Sequence, residues 1–177
     1  SEDYSIDNMI TDLTQEKIIG LVQGRSEHGA RALCNRSILC MPKAGIKDKL
    51  NNQVKHREPF RPFAPVCRKE DAGKWFEFGD YTEFMSHNAV VINHMPAIKS
   101  VIHEDHTARL QTVTAESNPF MYLLLSRMNE LGHPPVLINT SFNVMGKPIL
   151  NTWNEALWML ENTGLDVLTD GKKRIYG

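Results

Sequence analysis

The chain has 177 residues, a length that can bury about 70% of the surface its unfolded form exposes and so support a real core. Hydrophobic residues make up 41% and charged residues 23%, values of a globular chain rather than a disordered or fibrous one, and no run of about 18 apolar residues could span a membrane. The formal net charge of -1 argues against a long polyanion as partner, but it averages over a strong asymmetry: Arg25 to Lys69 carries +8, and the rest of the chain -9. Such clustering marks either a solvated face or a convergent anion site.

The acidic opening SEDYSIDNMITDLTQE has no secretory character. Residues Asp7 to Gln15 are expected to form a helix, with Ile6, Met9, Ile10 and Leu13 at helical spacing. Lys17 to Val22 reads as a strand ended by Gly24, followed by a Gly- and Arg-rich loop to Ser37 and a short strand from Ile38 to Met41. The three cysteines, Cys34, Cys40 and Cys67, form no C-x-x-C pair and read as thiols of a reducing cytoplasm. Ile46 to Val54 is expected as an exposed, charged helix, and the segment with Pro59, Pro62 and Pro65 as stiff extended chain. Lys69 to Trp75 reads as a short helix.

Ala89 to Ile92 and Arg109 to Thr114 are predicted strands. Pro119 to Leu131 is the clearest helix, with Phe120, Leu123, Leu124, Met128 and Leu131 assigned to its apolar face and Gly132 ending it. Val136 to Asn139 is a short buried strand. Thr152 and Glu155 have capping-box spacing for a helix through Leu160, and Asp166 to Thr169 is a further strand. The mixture predicts one α/β domain with a mixed sheet and no linker. Trp75, Phe76, Trp153 and Trp158 read as packing residues rather than a base-stacking platform.

Several stretches could carry chemistry. Lys55 and Arg57, in an extended segment, would point to one face and offer a point charge and a planar fork to phosphate oxygens, with Arg61 four residues on. The run Asn139-Thr140-Ser141-Phe142-Asn143 follows a buried strand, where open α/β sheets place ligands; Asn139, Ser141 and Asn143 would project one way and Phe142 inward. An ordinary turn closed on its own backbone fits that run as well. Arg25, Arg31 and Arg36 lie in the first Gly-rich loop, which matches neither the P-loop nor the dinucleotide fingerprint. His103-Glu104-Asp105-His106 reads as a polar loop rather than a metal cluster. Arg109 and Gln111 follow it on one strand face.

Taken together, GRSEHGARALCNRSIL (Gly24 to Leu39), KHREPFRPFAP (Lys55 to Pro65), PPVLINTSFNVMGKPI (Pro134 to Ile149) and, more weakly, HEDHTARLQTV (His103 to Val113) resemble the C-terminal domain of the O-carbamoyltransferases. That domain is similar to YrdC-like nucleotide-binding domains, whose Lys-x-Arg and Ser-x-Asn pairs match Lys55-x-Arg57 and Ser141-x-Asn143. The resemblance implies a single YrdC-like domain across residues 1–177, with a twisted mixed sheet flanked by helices.

It also implies binding of ATP with Mg²⁺ and of carbamoyl phosphate, and formation of carbamoyl adenylate for transfer by a separate Kae1-like domain, in cis or in trans. By the same resemblance Lys55, Arg57, Arg61 and Ser141 are the candidate catalytic residues, and Arg31, Arg109, Asn139 and Asn143 bind substrate or ATP. No protein-built metal site is expected, and a basic pocket in an otherwise acidic chain is poorly suited to long nucleic acids. The other reading is a YrdC-like RNA- or nucleotide-binding module without carbamoyl transfer. The chain departs from the family pattern at Ala30 (usually Pro), Cys34 and His106 (usually Gly) and Met145 (commonly basic), which bears on the loop backbone rather than on the proposed ligands.

Overall fold

The computed structural model describes residues 1–25, 32–59, 61, 63–77, 89–92, 98, 101, 107–144 and 146–177. In chain order the elements are β1 (Glu2–Asp3), α1 (Ile6–Thr14), β2 (Ile19–Val22), β3 (Arg36–Cys40) and α2 (Ile46–Lys49). A π-helical turn, Leu50–Lys55, continues α2. There follow β4 (Ala64–Arg68), a 3₁₀ turn over Lys69–Lys74, β5 (Phe76–Glu77), β6 (Ala89–Val91), β7 (Thr107–Ala108) and β8 (Gln111–Val113). The chain closes with α3 (Pro119–Glu130), β9 (Val136–Ser141), α4 (Trp153–Asn162), β10 (Val167–Thr169) and β11 (Lys173–Tyr176).

Eight strands form one mixed sheet in the order β1-β11-β10-β2-β3-β9-β4-β8, and β5-β6-β7 form a small second sheet. In the large sheet β10 with β2 and β4 with β8 are parallel and the other pairs antiparallel. Both faces are covered, and the period of two along each strand decides which side chain goes where. Ile38, Cys40, Val136 and Ile138 face one core with Leu50, Val54 and the Met159 and Leu160 side of α4. Leu39, Leu137 and Leu21 face the other, against Met9, Ile10 and Leu13 of α1 and Met121, Leu124, Leu125 and Met128 of α3. No helix among the described residues is long and apolar enough to cross a membrane.

Local signals explain the helix ends. The Ser5 hydroxyl accepts from the Asn8 N–H at the start of α1, and Thr152 and Glu155 close the expected capping box at α4. Three expectations are corrected. The core face of α3 is Met121, Leu124, Leu125 and Met128, while Leu123 and Leu131 are 57% and 45% exposed. Ile46 to Val54 is not an exposed helix: its second half widens to π geometry, and Leu50, Asn51, Val54 and Lys55 are buried. Trp158 is 54% exposed rather than packed. The basic quarter is also not one patch. Lys43 and Lys49 pair with Glu16 and Asp166 from other parts of the chain, while Arg68 pairs with Asp71 three residues on and Arg61 with Glu58.

Candidate functional site

The widened turn ends by carrying Lys55 inward. Its side chain is 3% exposed and reaches across 86 residues of sequence to the end of β9. The ammonium donates to the Ser141 carbonyl at 2.7 Å, the Asn143 carbonyl at 2.8 Å, Ser141 Oγ at 3.3 Å and Asn143 Oδ1. Three N–H bonds thus serve a ring of four oxygens, none from a carboxylate. Burial, and then the charge of Arg57, push the Lys55 pKa down to about 7. The Lys-x-Arg and Ser-x-Asn pairs, far apart in sequence, are one cluster in space.

Ser141 and Asn143 are held as a unit. Ser141 Oγ donates to Asn143 Oδ1 at 2.7 Å, and Asn143 Nδ2 donates to the Lys147 carbonyl at 2.6 Å. Between them Phe142 is fully buried, as expected, and its N–H donates to the Arg36 carbonyl at 3.0 Å. Its ring lies against Gly20, where any Cβ would collide with it. Asn139 is drawn elsewhere: it is 1% exposed, and its Nδ2 donates to the Ala32 carbonyl at 3.0 Å and to Gln111 Oε1, with Cys34 Sγ at 3.3 Å. Cys34 stands where the resembled family has Gly, and its φ of 72° keeps the left-handed backbone that glycine favours.

Lys55 and Arg57 do not share the face of an extended strand, because His56 between them is left-handed at φ 51°. Arg57 instead donates from Nε to Asn51 Oδ1 at 2.7 Å and lies 4.4 Å over the Phe63 ring. Burial, then the charge of Arg61, lower its pKa. Asn51 is fully buried and also donates to the Pro59 and Arg61 carbonyls, so one amide holds both the guanidinium and the proline-rich loop. Sequence reasoning missed Asn51: an Asn within a charged, helix-like run gives no sign that its neighbours turn inward. A hollow of about 340 Å³ opens beside Arg57, lined by Asn52, His56 and Glu58.

The remaining candidates are more dispersed. Arg61 is bound to Glu58 at 2.9 Å. Arg109 is exposed and lies between β7 and β8 rather than on the expected strand from Arg109 to Thr114, whereas Gln111 opens β8 and is buried. Arg31 and the His103–His106 stretch lie outside the described residues. Arg36, seen in sequence only as one basic residue of the loop, binds the Gln23, Gly24 and Asn35 carbonyls and so pins together the two ends of that loop. A groove of about 360 Å³ runs from Asn143 along Val144, Lys147, Pro148 and Leu150 to Glu155, Trp158 and Met159 of α4. Polar donors, buried cations and an apolar groove therefore adjoin, an arrangement suited to a small anionic ligand with an organic body.

The family model described as carbamoyltransferase C-terminus matches residues 10–175. The chain is 42% identical over 159 residues to the nodulation protein NolO of Bradyrhizobium diazoefficiens, covering 87% of this chain and 29% of that protein. It is 36% identical over 165 residues to the 3'-hydroxymethylcephem-O-carbamoyltransferase of Amycolatopsis lactamdurans, covering 93% of this chain and 32% of that one. The chain thus spans about a third or less of the relatives it matches. In three dimensions it is similar to full-length HypF, solved in a phosphate- and nucleotide-bound form, with a TM-score of 0.66 and 20% identity over 93% of this chain and 24% of that one. That likeness is one of fold.

Proposed function

Because this chain belongs to the carbamoyltransferase C-terminus family, we propose that it performs the activating step of carbamoyl transfer, making carbamoyl adenylate from carbamoyl phosphate and ATP. Water cleaves carbamoyl phosphate to carbamate and phosphate. A carbamate oxygen then bonds to the α-phosphorus of ATP as the bond to the β-phosphate oxygen breaks, and pyrophosphate leaves. A Kae1-like domain, in cis or in trans, would pass the carbamoyl group to an acceptor hydroxyl. Mg²⁺ would arrive with the ATP phosphates. The three buried cysteines form no disulfide among the described residues, which fits a reducing cytoplasm.

The observation that carries this reading is the convergence of Lys55 with Ser141 and Asn143, beside Arg57. Phosphoryl chemistry spreads negative charge over oxygens, and preorganised cations and donors in a water-poor site stabilise it. In this reading Arg57 and Arg61 take phosphate oxygens, Arg31 and Arg109 complete the clamp, and Asn139, Ser141 and Asn143 orient the carbamoyl group and nucleotide. Lys55 keeps the Ser141–Asn143 turn in shape and lends it charge.

The test is exchange of labelled pyrophosphate into ATP. Exchange should require carbamoyl phosphate and should disappear in Lys55→Ala. Exchange that ignores carbamoyl phosphate, or a Lys55→Ala variant that exchanges normally, would sink the reading.

A further inference from the structure

The polar cluster after β9 spends its donors on itself. Lys55 gives its three N–H bonds to oxygens of Ser141 and Asn143. The Ser141 hydroxyl goes to Asn143 Oδ1, and one of the two Asn143 amide N–H bonds goes to the Lys147 carbonyl at 2.6 Å. An anion held by Ser141 and Asn143 must therefore take these donors from their present acceptors. Two factors favour that exchange. A hydrogen bond to a charged oxygen is about twice as strong as one between neutral groups. The Lys147 carbonyl, on an exposed residue, can take a water in place of the amide. Lys55 stays where it is, because the Ser141 and Asn143 carbonyls at 2.7 and 2.8 Å retain its ammonium.

What the amide gives up in that exchange is its hold on the next turn. Leu150 N–H closes the base of the turn on the Phe142 carbonyl at 3.0 Å, and Lys147 N–H closes its tip on the Val144 carbonyl at 3.2 Å. The Asn143 amide is a brace between these two bonds. Val144, Lys147 and Pro148 form one wall of the apolar groove, and Glu155, Trp158 and Met159 of α4 form the other. The α4 wall is fixed, by the capping box in its first turn and by Ala156, Met159 and Leu160 in the core. The facing wall is not: Val144 is half-buried, and Gly146, Lys147 and Pro148 are exposed. With so little packing, its position depends on its few hydrogen bonds.

We propose that the Asn143 side chain is a latch coupling the anion site to the groove. When an anion draws the Ser141 hydroxyl and the Asn143 amide to itself, the Lys147 carbonyl is released and the Val144–Pro148 wall shifts relative to Trp158. This rests on the reading above that Ser141 and Asn143 serve an anionic substrate, and it adds the means by which occupancy is felt outside the site. The anion moves the equilibrium because the released donors bind it and the latched ones do not. The coupling is reciprocal: whatever fills the groove alters anion affinity by the factor with which the anion alters its own.

Trp158, half exposed on the fixed wall, can report the movement. The experiment titrates the protein with inorganic phosphate and with carbamoyl phosphate, following tryptophan emission and its quenching by uncharged acrylamide, with calorimetry alongside. Emission and quenching should shift saturably, at the midpoint of the calorimetric binding. The shift should vanish in Trp158→Phe, which keeps Trp75 and Trp153. Asn143→Ala has no latch, so before any anion is added it should show the quenching of the phosphate-saturated parent, and phosphate should move it no further. Binding heat without a Trp158 shift overturns the latch and leaves the anion site standing. So does a shift that persists in Asn143→Ala, or an Asn143→Ala variant that starts from the quenching of the anion-free parent. Should Asn143→Ala fail to fold, the parent and Trp158→Phe titrations decide. Failure to bind either anion overturns the latch together with the reading beneath it.

Discussion

Phe142 rests its ring on Gly20, a residue whose lack of a side chain is what admits the ring. That contact sits between Ser141 and Asn143, so a core packing decision in β2 sets the shape of the polar turn after β9. Gly20→Ala is expected to cost about 1–3 kcal/mol through overpacking. It should lower the melting temperature and weaken phosphate binding together, because the displaced ring moves the turn. Loss of stability with unchanged phosphate affinity would show that the turn is held from elsewhere.

Lys55 makes two pH-dependent effects testable. Its folded pKa of about 7 lies below the ordinary lysine value of 10.5, so between these the unfolded chain binds more protons. Stability from this group therefore rises with pH across that window, and the penalty is fully present below about pH 7. Anion binding has the opposite sign, since it needs the ammonium. Affinity for carbamoyl phosphate should fall as pH rises through about 7, and Lys55→Met should flatten that dependence. Truncating such a buried cation should cost on the order of 2–5 kcal/mol of binding.

Asn51 positions Arg57, and its removal should be felt on both sides of the loop. Asn51→Leu is expected to cost about 1–3 kcal/mol of stability, because the Pro59 and Arg61 carbonyls lose their donor and the half-buried Arg57 Nε loses its acceptor. Anion affinity should drop as well, with the guanidinium released from Nε. In Asn51→Asp the carboxylate can still hold Arg57 but cannot donate to those carbonyls. Binding should therefore recover more than the melting temperature does, and equal recovery of both would contradict this division of labour.

A separate node fastens the chain ends. The Asp12 carboxylate, 2% exposed, accepts from Tyr4 Oη at 2.9 Å, Lys17 Nζ at 2.6 Å and the Arg174 guanidinium at 2.9 Å. Burial alone would raise its pKa; the hydrogen bonds from Lys17 and Tyr4 and the nearby charges hold it below the usual carboxylate value. A depressed folded pKa contributes stability above about pH 4 and loses it as the pH falls through the folded value. Asp12→Asn should cost about 3 kcal/mol at neutral pH and show a shallower acid transition in melting scans.

Much of this architecture was readable from residue patterns, and the failures have physical causes. Strand β9 and the capping box of α4 carry strong local signals. The inward face of α3 is hidden from the sequence because Leu123 and Leu131 are as apolar as Met121 and Leu125, and tertiary contact alone chooses between them. The Lys-x-Arg and Ser-x-Asn motifs point to the pairing of Lys55 with Ser141 and Asn143, but a widened helical turn and a left-handed His56 stand where the spacing suggests extended chain. β11 carries little strand signal because Lys173 and Arg174 open it with two charged residues, although it is paired on both sides by β1 and β10.

The strand order places β1 beside β11 at one margin of the large sheet, with Glu2 opposite Arg174 and Asp3 opposite Lys173. The first and last strands are thus neighbours. Removing either would bare a new sheet edge, β11 in one case and β10 in the other, and an unpaired edge is a template for pairing with another chain.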